Sequence, residues 1–243
     1  MQLVAVLSDA TGRTPIHVTA ITGNMAIAHL LLQHGANVNA VDSAGWTPLM
    51  NASVSGHGSL VDLLLASGAN ATYTDDEGIS ALYLAAQEGH AGIVAALMKH
   101  GAPCDVPNND KWCPLHIASQ SGHLDVVKAL LINPKKALIE AKIECGATAL
   151  YLAVQEEHLD VARYLLERKA DVNCLTTDGF IPLHVAVQAG NSDMVKMLID
   201  KSANVLREVR QRQIPEVHYH ILLILVLVVC ATDNTANQYL TLF

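Results

Sequence analysis

The stretch that decides the fold runs from Trp112 to Leu131 and reads WCPLHIASQSGHLDVVKALL. Pro114 fixes φ at a helical value, and its missing N–H is not needed in a first helical turn. Gly122 then interrupts the apolar pattern, as glycine often does where a helix ends. A second apolar pattern begins at Leu124, and four of its members share one helical face: Val126, Val127, Leu130 and Leu131. The stretch therefore predicts two short antiparallel helices joined by a tight turn, a unit that needs neighbours to bury both faces.

Variants of the same pattern recur along the chain at a nearly constant step. The tetrapeptide related to Cys113-Pro114-Leu115-His116 begins at six positions: Thr14, Thr47, Ser80, Cys113, Thr148 and Ile181. The step is 33 residues throughout, except for 35 residues between Cys113 and Thr148. A 33-residue period with a Thr-Pro-Leu-His-x-Ala core is typical of ankyrin repeats. The chain therefore resembles the ankyrin-repeat family over residues 8–206, and six registered copies make the signal specific.

This resemblance implies an all-α ankyrin-repeat solenoid of six helix-turn-helix repeats with β-hairpin fingers. We place a lead-in at residues 1–7, the repeats at 8–40, 41–73, 74–106, 107–141, 142–174 and 175–206, and a divergent tail at 207–243. Repeat four departs from the pattern, because Lys111 replaces the turn glycine of the finger. Lysine there either strains a φ > 0 position or forces a different turn. Two extra residues near positions 133–136 predict a protruding loop.

Composition limits the classes of partner. The formal net charge is −8 and no repeat carries a cluster of Lys and Arg, so nucleic acid is not an expected partner. The five cysteines form no C-x-x-C pair, and their odd number and wide spacing favour reduced thiols and a cytoplasmic location. The first eight residues lack the basic region and the apolar run of a signal peptide.

The tail contains a wholly apolar segment at residues 221–231. A bilayer span needs roughly 20 apolar residues, so this segment is short for one. Three explanations remain open: a cover for the open face of the last repeat, which we favour, a membrane anchor, or the divergent end of a truncated or mis-spliced product. The ends of the chain also leave open that it is a fragment of a longer ankyrin-repeat protein.

Histidine is abundant, with twelve copies, and most of these have a structural explanation. His17, His116 and His184 occupy the fourth position of the tetrapeptide, where the resemblance implies a hydrogen-bonding role. A second set follows the turn between helices: His57, His90, His123 and His158. Other residue types replace histidine in several repeats at both positions, and ligand geometry would not tolerate this. We therefore expect neither a metal site nor a cofactor.

Catalytic motifs are also missing from the sequence. It contains no G-x-S-x-G elbow, no phosphate-binding G-x-x-x-x-G-K-[ST] loop and no G-x-G-x-x-G after a strand. Cys113 and His116 are close in sequence, but Cys113 occupies the position of a structural threonine. Its thiol is expected to be a small packing group and not a nucleophile. The sequence therefore predicts a protein that is not an enzyme.

One register of the fingers contains both tryptophans and one of the two phenylalanines. It is the position between the turn glycine and the tetrapeptide, here called the finger row: Arg13, Trp46, Ile79, Trp112, Ala147 and Phe180. The resemblance implies that this register lies on the exposed, concave side of the fingers. A regular row of large apolar groups would form a contact surface, since tryptophan is enriched at binding hot spots. Equally, these side chains could pack on neighbouring fingers and stiffen the stack.

Two polar features adjoin the finger row. Asp75, Asp76 and Glu77 precede Ile79 and could select a basic partner, although a solvated turn is the simpler account. Glutamine recurs in one register of the first helices, at Gln87, Gln120, Gln155 and Gln188, where solvated helix polarity is again the simpler account.

The sequence thus predicts a monomeric, cytoplasmic scaffold or adaptor that binds a protein partner on its fingers and first helices. Trp46 and Trp112 are the expected anchors. The alternative is a membrane-associated adaptor anchored through residues 221–231.

Overall fold

The computed structural model describes residues 7–132, 136–201 and 203. These residues contain thirteen α-helices: α1 (Pro15–Thr22), α2 (Met25–Gln33), α3 (Pro48–Val54), α4 (Gly58–Ala66), α5 (Ala81–Gln87), α6 (Ala91–Lys99), α7 (Pro114–Gln120), α8 (Leu124–Leu130), α9 (Lys136–Ile139), α10 (Ala149–Gln155), α11 (Leu159–Glu167), α12 (Pro182–Gln188) and α13 (Ser192–Asp200). All except α9 form six pairs of consecutive helices that pack on each other. Residues 133–135 of the predicted loop and the whole tail, 207–243, with its apolar segment lie outside the described residues.

The chain divides into two compact units, Met1–Pro134 and Lys135–Phe243. Within the first unit, the first helices α1, α3, α5 and α7 pack in series, and the second helices α2, α4, α6 and α8 do the same. Within the second unit, α10 packs on α12 and α11 packs on α13. The prediction of an all-α fold built from stacked helix pairs is confirmed.

The tetrapeptide explains where each first helix begins. The residue before the helix is extended, and in three repeats its hydroxyl accepts a hydrogen bond from the N–H three residues on, as in Ser80 Oγ with Tyr83 N–H at 3.1 Å. Where histidine occupies the fourth position, the ring reaches back instead. Nδ1 of His17 accepts from the N–H of Thr14 at 3.1 Å, and Nδ1 of His116 accepts from the N–H of Cys113 at 3.0 Å. In each repeat, one backbone N–H at the start of the first helix thus has a local side-chain partner.

Small residues at one register allow the helices to approach closely. The sixth residue, counted from the start of the tetrapeptide, is a buried threonine, Thr19, in the first repeat and a fully buried alanine in the other five: Ala52, Ala85, Ala118, Ala153 and Ala186. The second helices contribute a leucine that is likewise buried in five repeats: Leu64, Leu97, Leu130, Leu165 and Leu198. The core of each unit therefore repeats Ala and Leu from one helix pair to the next. This is why aromatic residues are only 4% of the chain.

Histidines after the inter-helix turns bind the preceding repeat. Nε2–H of His57 donates to the carbonyl of Ile21 at 3.0 Å, and Nε2–H of His123 donates to the carbonyl of Gln87 at 2.9 Å. The ring also packs on the preceding turn, because a Cβ added to Gly89 would lie 2.7 Å from Nδ1 of His123. Gly89 has φ of 79°, so both its backbone conformation and its surroundings favour glycine. The predicted linking role of these histidines is confirmed in the first unit.

The outer face of the first repeat is exposed where the same register is buried elsewhere. Ile27 of α2 is 48% exposed, whereas Ile93, the equivalent residue of α6, is 4% exposed. A Cβ added to Gly58, the first residue of α4, would lie 3.8 Å from Cγ1 of Ile93. This register therefore faces the preceding repeat. Val18 of α1 is similarly exposed, although its equivalents Asn51 and Leu84 are buried.

Candidate protein-interaction surface

Each finger is a tight loop that its first residue closes. In the second finger the N–H of Asp42 donates to the carbonyl of Trp46 at 3.0 Å, and Oδ1 of Asp42 accepts the N–H of Trp46 at 2.9 Å. Asp75 makes the same two contacts with Ile79, and Asn108 makes them with Trp112. One finger also contains an isolated β-bridge between Thr74 and Ser80. The backbone of the finger row is therefore held in place by hydrogen bonds within each finger.

The fourth finger keeps this geometry despite its lysine. Lys111 has φ of 66° and its N–H donates to the carbonyl of Asn108 at 2.9 Å, as the turn glycines of the other fingers do at their positions. Of the two sequence-based alternatives, the structure shows a left-handed lysine in an unchanged turn. The strain of this conformation is local to Lys111.

Neighbouring fingers are joined to one another within the first unit. The N–H of Ser43 donates to the carbonyl of Thr11 at 3.0 Å, which links fingers one and two. Nε of Arg13 lies 3.6 Å from Oδ2 of Asp42, and the Asp42 side chain is only 3% exposed. Arg13, predicted to contact a partner, thus has an ion pair within the protein, although much of its side chain remains exposed.

The acidic finger separates into two kinds of carboxylate. Oδ1 of Asp75 accepts the N–H groups of Glu77 and Ile79, at 3.0 and 2.8 Å, so this residue shapes the turn. Asp76 and Glu77 are exposed at the tip. Of the three predicted acidic contact residues, these two are exposed and Asp75 is only partly exposed.

The side chains of the finger row remain partly exposed at Trp46, Ile79 and Trp112 in the first unit and at Phe180 in the second. The rings of Trp112 and His116 pack edge to face with 6.2 Å between their centroids, and the rings of Phe180 and His184 pack in the same way with 6.0 Å between theirs. Ala147 of the same register is buried and adds no contact surface. Among the described residues, neither tryptophan indole N–H has a hydrogen-bond acceptor. The row thus presents apolar area together with two available donors.

The histidine of the first repeat forms a hydrogen bond to the backbone of the finger row. His17 is fully buried; its Nδ1 accepts from Thr14 and its Nε2–H donates to the carbonyl of Trp46 at 3.1 Å. Burial lowers the pKa of His17, so the ring is neutral at physiological pH. The linking role predicted for this position is confirmed, and it connects the first helix of repeat one to the tryptophan of finger two.

The glutamine register lies at the C-terminal ends of first helices. Gln87 ends α5 and Gln120 ends α7; Gln87 is exposed and Gln120 is partly exposed. Their contact with a partner stays a prediction, as it does for the finger row.

Comparison with known proteins fits this geometry. The family model described as "Ankyrin repeats (3 copies)" matches residues 2–75, 56–141 and 134–208. The chain belongs to the ankyrin-repeat family. A solved structure with the same fold is the crystal structure of the human ASB11 ankyrin repeat domain, at 28% sequence identity and a TM-score of 0.74, over 95% of this chain and 97% of that one. No curated protein matches the chain.

Sequence reasoning did not include one partly exposed aromatic residue near this candidate surface. Tyr83 stands in the fourth tetrapeptide position of repeat three and is partly exposed. Burial raises its pKa, and the negative charge of Asp110 raises it further. The Tyr83 hydroxyl therefore lies within electrostatic range of the fourth finger tip. Tyrosine in place of the usual histidine was the available signal.

The buried position of Cys113 agrees with the packing role expected from its register. Burial raises the pKa of Cys113 to about 11, and it does the same for Cys174. A thiol must ionise to act as a nucleophile, so burial disfavours that role for both thiols at neutral pH. Across the described ranges, no three His, Cys, Asp or Glu side chains are grouped as a metal site would require.

Membrane insertion was the basis of the alternative function. Within residues 7–132, 136–201 and 203, no helix combines the length and apolarity needed to cross a bilayer. The 221–231 segment lies outside these residues.

Proposed function

We propose that this ankyrin-repeat protein is a non-enzymatic adaptor that binds a protein partner through the finger row and the adjoining first helices. The observation that carries the proposal is the pair of partly exposed tryptophans with available indole N–H groups. Such side chains combine a large apolar area with a polar edge, which suits a hot spot at an interface.

The fingers favour binding because they are already ordered. Hydrogen bonds within each finger hold the backbone at Trp46 and Trp112, and links such as Ser43 N–H to the Thr11 carbonyl join successive fingers. A partner therefore does not have to order these loops when it binds, and this lowers the entropic cost of association. Ankyrin repeats generally serve protein–protein interaction, and the two anchors are our specific assignment for this chain.

We further propose that the protein acts as a monomer in the cytoplasm. The number and wide spacing of its cysteines support the compartment, because such a pattern is typical of reducing compartments.

The test compares Trp46→Ala/Trp112→Ala with the unaltered protein and with Tyr164→Ala. Tyr164 is a suitable control because it is also a partly exposed aromatic residue, on α11, where Arg168 stacks over its ring at 4.8 Å. Proteins captured from a cell lysate by the unaltered chain are identified by mass spectrometry, purified and titrated against all three forms.

We expect the double variant to weaken binding of a purified partner by at least about thirtyfold, since truncating a hot spot costs about 2 kcal/mol or more. The Tyr164→Ala control should bind within about twofold of the unaltered protein. Circular dichroism establishes that each variant is folded. Equal affinity of the folded double variant would show that the finger row is not the binding surface.

A further inference from the structure

The tips of fingers three and four bring exposed carboxylates together. Asp76 and Glu77 lie at the third tip and Asp110 lies at the fourth, and all three are exposed. Asn109 joins the two tips, because its N–H donates to the carbonyl of Glu77 at 3.0 Å and its Nδ2 donates to the carbonyl of Asp76 at 2.9 Å. We call Asp76, Glu77 and Asp110 the acidic tips.

Among the described residues, no Lys or Arg forms an ion pair with these carboxylates. Two ion pairs of the described ranges, Arg13 with Asp42 and Lys128 with Asp125, both lie away from the acidic tips. Lys111 is the one cation on these two fingers. Residues 7–132 contain four Lys and Arg against ten Asp and Glu, so the wider surface of this unit adds to the negative field.

The acidic tips adjoin the aromatic side chains of the proposed binding surface. Trp112 follows Asp110 by two residues, and Ile79 follows Glu77 by two. The first helix that follows the third finger, α5, adds the partly exposed ring of Tyr83. A long cationic side chain suits such a surface, because its stem packs on an aromatic ring while its charged end meets a carboxylate.

We propose that the partner contacts fingers two to four with a positively charged segment, whose Lys or Arg side chains lie on the finger row and reach the acidic tips. The proposal rests on the proposed function, because it specifies the chemistry of the partner at the same surface. Aromatic contact supplies apolar burial, and the carboxylates select basic over acidic segments.

The first experiment uses the intrinsic fluorescence of the protein. Trp46 and Trp112 are the only tryptophans in the chain, so their emission reports on this surface alone. The probe is a nine-residue peptide of alternating lysine and valine with blocked ends, and the comparison peptide carries glutamate in place of lysine. We expect a saturable change of tryptophan emission with the lysine peptide and none with the glutamate peptide. An unchanged emission with the lysine peptide would overturn the proposal.

The second experiment separates local charge from net charge by comparing two triple variants. Asp76→Asn/Glu77→Gln/Asp110→Asn removes the acidic tips. The control removes three exposed carboxylates from second helices: Asp62→Asn, Glu167→Gln and Asp200→Asn. We expect the first variant to bind the lysine peptide with roughly tenfold lower affinity, because each exposed ion pair changes a binding constant by a few-fold. The control should bind within about twofold of the unaltered chain. An equal loss of affinity in both triple variants would mean that only the net charge of the protein matters, and this would refute the proposal.

The same variants distinguish this inference from the proposed function. One outcome is that a purified partner fails to bind Trp46→Ala/Trp112→Ala and yet binds the acidic-tip variant with normal affinity. That result would support the proposed function and refute the proposal that the partner contacts the fingers with a basic segment. A partner that also loses affinity with the acidic-tip variant, and not with the control triple, supports both.

Discussion

Identical substitutions at Ile27 and Ile93 should lower the free energy of unfolding by different amounts, although the two residues occupy the same register of α2 and α6. Ile93 is 4% exposed, and its Cγ1 faces the start of α4 in the preceding repeat. Ile93→Ala removes buried methyl and methylene groups and leaves a cavity between two helix pairs. Substitutions of this kind lower the free energy of unfolding by about 2–5 kcal/mol.

Ile27→Ala should cost less, because Ile27 is 48% exposed and water already contacts half of its side chain. Full burial of an isoleucine is worth about 1.5–3 kcal/mol, so half of that transfer is about 1 kcal/mol. No closed cavity forms at an open face. Alanine also favours the helix by a few tenths of a kcal/mol relative to isoleucine, which reduces the cost further.

The assay is urea unfolding of the unaltered chain and both variants, followed by circular dichroism at 222 nm. Stacked repeats can unfold in parts, so hydrogen exchange of the first and third repeats accompanies the titration. We expect a difference of at least about 1 kcal/mol between the variants. Costs that agree within about 0.5 kcal/mol would mean that Ile27 is covered in solution and that the reading of this face is wrong.

Four further changes test individual contacts. Ser53→Ala and Ser119→Ala should each raise the free energy of unfolding by about 1 kcal/mol in urea titrations, because both hydroxyls are buried without a hydrogen-bond partner. Lys111→Gly should stabilise the chain by up to about 1 kcal/mol in the same titrations, since it removes a left-handed lysine; a loss of stability would contradict this. His17 has a lowered pKa, so the unfolded chain binds its proton first. Stability from His17 is complete above about pH 6.5 and is lost as the pH falls below that value, so His17→Gln should flatten the decline between pH 7 and 5. In mass-spectrometric alkylation at pH 7.5, Cys113 should stay unmodified while exposed Cys145 reacts; labelling of both at equal rates would contradict the burial of Cys113.

Short-range sequence signals were sufficient to predict the helices of each repeat. Thr47 and Pro48 begin a helix, and Gly56 ends it with φ of 77°, through contacts that span only a few residues. Repetition of these signals at a 33-residue period identified stacked helix pairs and the ankyrin-repeat family, because each pair needs the next to bury its faces. The linking histidines also followed from their register, since His57 and His123 repeat the same contact in successive turns.

Tertiary structure decided what each equivalent residue does. Asp75 and Asp76 are identical and adjacent in sequence, yet one carboxylate closes a turn and the other faces solvent, because only Asp75 occupies the position from which Oδ1 reaches the N–H of Ile79. Likewise, Ile27 and Ile93 share a pattern, but only Ile93 has the start of α4 packed against it. Sequence periodicity determined which register faces a neighbour; the presence of that neighbour, which removes the side chain from water, was visible only in the packed structure.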